Sequence, residues 1–120
     1  MRVLATLIVL FVSIPALAEE RRLSGKEIAS LLPEITASIG SIKQTFAADG
    51  GTVFTQDGRV SNGRWRVRGD FYCSTWPPSG AWRCYEVHFE KSESESPDRI
   101  IWVDAQLGDK TINFIMPKAQ

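Results

Sequence analysis

The chain contains only two cysteines and one histidine, and it has no surplus of either charge. Fourteen basic residues balance fourteen acidic ones, so the formal net charge at pH 7 is zero. Proteins that neutralise a nucleic-acid backbone or lie on an anionic membrane surface need a basic surplus, so the composition argues against both partners. A glycine-rich phosphate loop and a dinucleotide fingerprint are also missing, and we expect no cofactor.

Long apolar runs are absent except at the N-terminus. Residues 3–14 are apolar apart from Thr6 and Ser13, and they follow a positive Met1-Arg2 pair. The run is shorter than the roughly 20 residues that span a bilayer. Residues 16–18, Ala-Leu-Ala, have the small-x-small form that signal peptidase cuts. This pattern predicts a signal peptide over 1–18 and a single β-rich domain over 19–120, periplasmic or secreted, with no stable membrane anchor after cleavage. The alternative is an uncleaved N-terminal anchor.

One helix is signalled near the start of the mature chain. Ser24 can cap its N-terminus, and Glu27 stands three residues later to complete a capping box. Pro33 disfavours helical geometry in the preceding residue, so the helix should end or kink there. Ile35 and Ile39 could extend the helix weakly to Gly40. Residues 19–22 are charged and are predicted to form a frayed lead-in to the helix.

From residue 41 onward the sequence consists of short extended runs between turn signals. Asp57-Gly58 is a strong two-residue hairpin signal, Gly69-Asp70 is a second turn, and Asn62-Gly63 indicates a turn or a bulge. The predicted strands include 42–46, 52–56, 59–61, 64–68, 71–76, 100–103 and 110–116, with one more ending at Phe89. The fold class is therefore mainly β, an antiparallel meander curling into a small barrel or half-barrel, with one short N-terminal α-helix.

The two cysteines can be placed by counting across one turn. If residues 77–80, Pro-Pro-Ser-Gly, form a four-residue loop, Trp76 opposes Ala81 and Cys73 opposes Cys84. Directly opposed positions on neighbouring antiparallel strands come close enough for a disulfide. We predict a Cys73–Cys84 disulfide, which should stabilise the fold by roughly 2–3 kcal/mol. The alternative, a metal site using both thiolates, needs more ligands than one histidine supplies, so no metal is expected.

The same register divides the central strands into two faces. The predicted inner face carries Trp65, Val67, Tyr72, Trp76, Tyr85, Val87 and Phe89. The predicted outer face carries the candidate ligand-binding residues Arg64, Arg66, Arg68, Trp82, Glu86 and His88. Guanidinium groups pair with carboxylate or phosphate and stack on indole, so this face could bind an anionic or ring-bearing ligand. In the alternative interpretation the arginines cover Trp82 and the disulfide and pair with Glu86. A one-residue slip would change the assignment.

Three functions are compatible with these patterns. The first is a non-catalytic binding module for a small or anionic ligand. The second is an inhibitor or partner-binding protein of the envelope that uses the loop from Trp76 to Trp82. The third is an enzyme that uses His88 and a carboxylate, but no nucleophile has motif context and both cysteines are committed, so no catalytic residue is predicted. The acidic loop 90–98 matches no calcium-ligand spacing of the EF-hand type.

One pattern resembles a known family. Gly63-x-Trp65, Gly69-x-Phe71-Tyr72-Cys73 and Cys84-x-x-Val87 follow a helix opening Leu-Ser-Gly-Lys-Glu and an Asp-Gly hairpin. In these features the chain resembles small exported proteobacterial proteins of the domain of unknown function 995 type. A Pro-Pro turn replaces the polar segment usually found between the cysteines. The resemblance implies an exported small β domain and carries over no catalytic residue.

Overall fold

A computed structural model describes residues 8–11 and 20–118 of the chain. The proposed cleavage site at 16–18 and most of the predicted signal peptide lie outside the described residues, and 8–11 have no regular secondary structure. Within the described ranges, no helix combines the length and apolar character needed to cross a bilayer.

Nine strands and one helix form the described domain. The chain begins with a short strand and a helix that runs into a single 3₁₀ turn, Leu32–Glu34. The elements are β1 Glu20–Arg22, α1 Gly25–Leu31, β2 Ile35–Ile39, β3 Ile42–Phe46, β4 Gly51–Gln56, β5 Arg59–Arg68, β6 Phe71–Thr75, β7 Trp82–Glu90, β8 Arg99–Asp104 and β9 Lys110–Pro117.

Strands β2 to β9 form a closed eight-stranded barrel. Each strand pairs antiparallel with the next along the chain, and β9 returns to pair with β2, where Thr36 faces Met116. The predicted fold class, a mainly β meander with one short N-terminal helix, is confirmed, and the sheet closes fully. Closure leaves no unpaired edge in the meander, which is how up-and-down barrels avoid edge-to-edge association.

The lead-in predicted to be frayed is instead strand β1. It pairs with the second half of β7, with Glu20 opposite Glu90 and Arg22 opposite His88. Strand β6 pairs only with the first half of β7, so the later backbone groups of β7 lack a partner on that side. Strand β1 takes this position and supplies the missing hydrogen bonds.

The helix start is confirmed and its predicted extension is wrong. Ser24 Oγ accepts a hydrogen bond from the Glu27 backbone N–H, and the Glu27 carboxylate accepts one from the Ser24 N–H. The helix ends before Pro33, but residues 35–39 form strand β2 and not a weak helical turn. Strand pairing on both sides, with β3 and β9, determines this conformation, and it buries Ile35 and Ala37 inside the barrel.

The helix closes one end of the barrel. Ile28 and Leu32 are fully buried there, and the Gly25 N–H donates to Asp70 Oδ1 at 2.7 Å, which joins the helix start to the β5–β6 turn. Burying these apolar side chains is the main stabilising contribution at this end. The core consists of Leu23, Ile28, Leu32, Ile35, Ala37, Phe46, Trp65, Tyr72, Val87, Ile100 and Trp102.

The predicted register of the central hairpins is confirmed. Cys73 faces Cys84 and the two form a disulfide. The turns at 57–58 and 69–70 each span two residues, as predicted. The turn or bulge expected at Asn62-Gly63 is wrong, because β5 runs unbroken through both residues. The inner face is also as predicted: Trp65, Tyr72 and Val87 lie in the core, Val67, Tyr85 and Phe89 pack against it, and Trp76 lines the barrel interior.

Candidate ligand-binding cavity

The end of the barrel opposite the helix contains a cavity of about 780 Å³. The helix fills only one end, and the interior beyond Tyr72 and Trp102 is not occupied by other side chains of the core. The cavity is lined by Ile39, Ile42, Gln44, Phe54, Val60, Ser61, Asn62, Tyr72, Ser74, Trp76, Pro77, Tyr85, Trp102, Thr111 and Asn113. Its volume falls within the range of small-molecule pockets, roughly 300–1,000 Å³.

The lining contains no ionisable acid or base apart from two tyrosines. It combines aliphatic and aromatic side chains with a few hydroxyls and carboxamides. A charged ligand would lose its hydration inside the barrel without meeting an opposite charge, which is strongly unfavourable. The cavity is therefore suited to a neutral molecule.

Aromatic rings form much of the cavity wall. Tyr72 lies at the centre, with its ring centroid 5.0 Å from that of Trp102 and 6.2 Å from that of Tyr85. Phe54 and Trp76 meet edge to face nearer the mouth, with centroids 6.1 Å apart. Walls of this kind present both ring faces and ring edges, which favour contact with a ring-bearing ligand.

Trp76 turns inward at the mouth of the cavity. It follows β6 directly, and its indole N–H donates to the Ser74 hydroxyl at 3.3 Å. The ring lies over Gly63 of the neighbouring strand, where the missing side chain leaves the space that it needs. Trp76 therefore narrows the mouth, and it is the first aromatic side chain of the β6–β7 loop.

Polar side chains form the inner wall of the cavity next to the core. Trp102 Nε1 donates to Asn113 Oδ1 at 2.8 Å. Gln44 Nε2 donates to Thr52 Oγ1 at 3.0 Å and to the Tyr72 hydroxyl at 3.1 Å. Every buried side-chain polar atom in the described part of the chain has a hydrogen-bond partner, as is usual when polar groups lie in a core.

Burial raises the pKa of Tyr72 to about 12, and hydrogen bonds from the Ser74, Gln44 and Thr52 side chains only partly oppose this shift. Burial also raises the pKa of Tyr85. Both phenols therefore remain protonated near neutral pH. They act as hydrogen-bonding groups and not as bases or nucleophiles.

An ion pair lies on the inward-facing side of the strands beyond this polar region. Arg83 donates to Asp104 Oδ2 through Nε at 3.1 Å and through Nη2 at 2.7 Å. The other Asp104 oxygen accepts from the backbone N–H groups of Gln106 and Leu107 in the β8–β9 turn. These two backbone hydrogen bonds, followed by Arg83, lower the pKa of Asp104. The carboxylate thereby joins the β8–β9 turn to β7.

The three predicted arginines lie on the outer face and do not converge on a common site. The Arg66 guanidinium stacks over the Trp82 ring at 3.9 Å. Arg64 reaches the other way and donates to the Asp49 carbonyl at 3.1 Å. Arg68 ends the strand and is exposed. The stacking on Trp82 agrees with the interpretation in which an arginine covers the indole.

Glu86 and His88 belong to a separate cluster with β1. Glu86 Oε1 lies 3.3 Å from Arg22 Nη1 and 3.4 Å from His88 Nε2, and His88 Nδ1 lies 3.1 Å from Glu20 Oε1. Glu86 thus pairs with Arg22, and among the described residues it forms no salt bridge with the three predicted arginines. The cluster holds β1 against β7.

Both tryptophans that delimit the 76–82 loop have partners within the chain. Trp76 packs on Phe54 inside the mouth, and Trp82 stacks under Arg66 on the outer face. The exposed part of the loop runs from Pro77 to Trp82. A partner that docks on this loop would meet that short segment first.

Within 8–11 and 20–118 no group of three or more histidine, cysteine or acidic side chains is arranged to hold a metal ion. No family model, curated protein or solved structure matches the chain. The cavity is therefore the feature of the chain that indicates a function.

Sequence reasoning assigned Tyr72, Trp76 and Tyr85 to the interior but missed the cavity that they line. Gln44, Asn113 and Thr111 also face inward, on strands that the sequence placed but did not orient. One signal was present: in 42–46 the uncharged polar residue Gln44 alternates in step with the apolar Ile42 and Phe46, and in a half-buried strand that alternation marks the interior. In 111–115 no such signal exists, because Ile112 and Phe114 alternate out of step with Asn113.

Proposed function

We propose that this chain is a non-catalytic binding module that holds one small neutral molecule inside its barrel. The observation that carries the proposal is the cavity of about 780 Å³, open at one end and lined by uncharged side chains. Closed eight-stranded barrels are just wide enough to enclose a single small ligand. Export to the periplasm or the exterior, predicted from the N-terminal sequence, forms part of the same proposal.

The interior is a better ligand site than the arginine-bearing outer face. A ligand inside the barrel would lose most of its contact with water, which is where apolar contact and hydrogen bonds contribute most. On the outer face Arg66 already stacks on Trp82 and Arg64 is bound to a backbone carbonyl. An anionic ligand there would have to displace these contacts in full solvent.

A binding role also accounts for the chemistry of the lining better than catalysis does. Serine, threonine and tyrosine hydroxyls are present, but a general base next to them is not found among the described lining residues. The high pKa of Tyr72 keeps its hydroxyl from acting as a base. Without a base, hydroxyl groups are weak nucleophiles.

Titration with Nile red, an uncharged dye that brightens in apolar surroundings, tests the proposal. We expect saturable binding of one dye per mature chain. The double variant Ser61→Trp/Thr111→Trp places two indoles in the cavity and should abolish binding. Val53→Trp adds an indole to the outer face of β4, and binding should persist in this matched control.

A second comparison separates the interior from the outer face. Arg66→Gln removes the guanidinium over Trp82 and leaves the cavity intact, so Nile red affinity should stay within twofold. Dye binding that is lost in Arg66→Gln but retained in the cavity-filling double variant would overturn the proposal in favour of an outer-face site.

A further inference from the structure

The direction of three hydrogen bonds beside the cavity is determined by one backbone carbonyl. The Thr52 hydroxyl donates to the Thr45 carbonyl at 2.8 Å, and a carbonyl can only accept. The Thr52 hydroxyl has a single proton, so its oxygen must act as the acceptor toward Gln44, whose Nε2 lies 3.0 Å away. This contact fixes the orientation of the Gln44 carboxamide, with its NH₂ group toward Thr52 and Tyr72.

The second Gln44 N–H then donates to the Tyr72 oxygen at 3.1 Å. The Tyr72 hydroxyl is thereby an acceptor toward Gln44, and its own proton is available to another acceptor. In the part of the chain that the structure describes, no hydrogen bond of normal geometry takes up this proton. The Ser74 hydroxyl is close to Tyr72, and its hydrogen bond lowers the pKa of Tyr72, as a donor to the phenol oxygen does, so Ser74 does not take up the Tyr72 proton.

The orientation of the Asn113 carboxamide is also determined by a hydrogen-bond partner. Trp102 Nε1 can only donate, so it selects the carboxamide oxygen of Asn113, and the NH₂ group is left to face other acceptors. Asn113 and Tyr72 both line the cavity. The cavity wall therefore contains two uncharged hydrogen-bond donors, the Tyr72 hydroxyl and the Asn113 NH₂ group.

We infer that the cavity recognises a neutral, ring-bearing molecule whose carbonyl oxygen accepts a hydrogen bond from the Tyr72 hydroxyl, with the Thr52–Gln44 pair orienting that donor. This inference rests on the proposed function. The rings of Trp102, Tyr85 and Trp76 contact the ring system, and the single oxygen points to the inner wall. Because burial keeps Tyr72 protonated, the donor is present across the physiological pH range.

The test uses two ligands of nearly the same shape, 1-indanone and indane, which differ by one carbonyl oxygen. Each is titrated against the mature protein loaded with Nile red, and the ratio of the two affinities is measured. One hydrogen bond between neutral groups contributes a factor of roughly three to ten, so 1-indanone should displace the dye at concentrations lower by about that factor.

Tyr72→Phe removes the donor with little change in shape and should bring the ratio of affinities close to one. Tyr85→Phe removes a hydroxyl from the other tyrosine of the cavity. The Tyr85→Phe variant should change the affinities for 1-indanone and indane together and leave their ratio unchanged.

The orienting pair is tested at Thr52. Thr52→Val breaks the contact to Gln44 and should lower the ratio of the two affinities. Thr52→Ser keeps the hydroxyl and should preserve the ratio. Thermal unfolding of each variant verifies that it is folded.

The outcomes separate this inference from the proposed function. Equal affinities for 1-indanone and indane in the wild type, or an unchanged ratio in Tyr72→Phe, would overturn the inference while saturable Nile red binding still supports a cavity binder. An unchanged ratio in Thr52→Val would overturn the orienting role of that pair. Failure of Nile red itself to bind would count against the proposed function.

Discussion

The indole ring of Trp76 occupies the space that a side chain at Gly63 would fill. A Cβ at residue 63 would lie 2.6 Å from Trp76 Cε3 and 2.7 Å from the Thr75 carbonyl oxygen. Both distances are well inside van der Waals contact. Glycine is therefore required at this position because the Trp76 ring and the Thr75 backbone leave no space for a side chain, and not because the chain turns there.

Gly63→Ala should displace Trp76 and destabilise the barrel. Overpacking of this kind costs about 1–3 kcal/mol, measurable as a lower midpoint of urea unfolding together with a change in tryptophan emission. Gly80→Ala is the control, because a Cβ at Gly80 meets nothing within 4 Å. Equal stability of both variants and the wild type would show that the position of the Trp76 ring does not require glycine at residue 63.

Gly25 is buried where the helix meets the β5–β6 turn. A Cβ there would lie 1.9 Å from the Gly69 carbonyl oxygen, which is backbone and cannot rotate away. Helix propensity alone predicts that Gly25→Ala stabilises α1 by up to about 1 kcal/mol. We expect the clash to prevail and the variant to be less stable by about 2 kcal/mol or more.

The control for Gly25→Ala is Ser30→Ala, at an exposed position of the same helix. It gains helix propensity without a clash and should be as stable as the wild type or slightly more so. Urea unfolding of the two variants side by side gives the comparison. A Gly25→Ala protein more stable than wild type would mean that the helix does not dock on the turn as described.

Asp104 should make the barrel sensitive to acid. Hydrogen bonds from Leu107 and Gln106, followed by Arg83, hold its pKa below the usual value of 3.8. A carboxyl whose pKa is lowered by folding stabilises the protein above its unfolded-state pKa, and this contribution is lost as the pH falls through the folded-state value. The Asp104→Asn variant should therefore be less stable than wild type at neutral pH, and the difference should shrink in acid.

Urea midpoints of wild type and Asp104→Asn, measured from neutral pH to about pH 3, provide the test. Glu93→Gln, in the exposed loop after β7, is the matched carboxylate control and should follow the wild type throughout. A stability difference for Asp104→Asn that does not change with pH would show that the charge of Asp104 is not what holds the β8–β9 turn.

The disulfide should contribute stability without determining the fold. Cys73 and Cys84 close a short loop between strands that already pair through backbone hydrogen bonds. The Cys73→Ala/Cys84→Ala variant should lose roughly 2–3 kcal/mol and keep the circular dichroism spectrum of the wild type. Loss of the β spectrum would mean that the crosslink is needed for the barrel to form.

Local signals predicted much of this architecture. The capping box at Ser24 and Glu27 located the start of the helix, because both partners lie within one turn. Counting across an assumed four-residue turn at 77–80 predicted the pairing of Cys73 with Cys84, and the strands keep that register although β6 already ends at Thr75 and β7 begins at Trp82. In each case the information lies within about a dozen residues of sequence.

Contacts between segments that are far apart along the chain explain the features that the sequence did not predict. Ile35 and Ile39 fit a helical spacing and a strand alternation equally well, and pairing with β3 on one side and with β9, far along the chain, on the other selects the strand. Asn62-Gly63 is a turn signal by type, yet the glycine is there to accommodate Trp76. The cavity was invisible because it exists only once eight strands have closed.

The proposed function requires that the ligand enters the barrel, and the four tryptophan side chains can test this directly. Trp76 lies at the mouth, Trp102 on the inner wall, Trp65 in the core and Trp82 on the outer face. Each indole N–H gives its own resonance in a ¹⁵N–¹H NMR spectrum, assigned by Trp→Phe variants. Titration with 1-indanone should shift the Trp76 and Trp102 signals and leave that of Trp82 in place. Movement of the Trp82 signal with Trp76 and Trp102 unchanged would contradict the account.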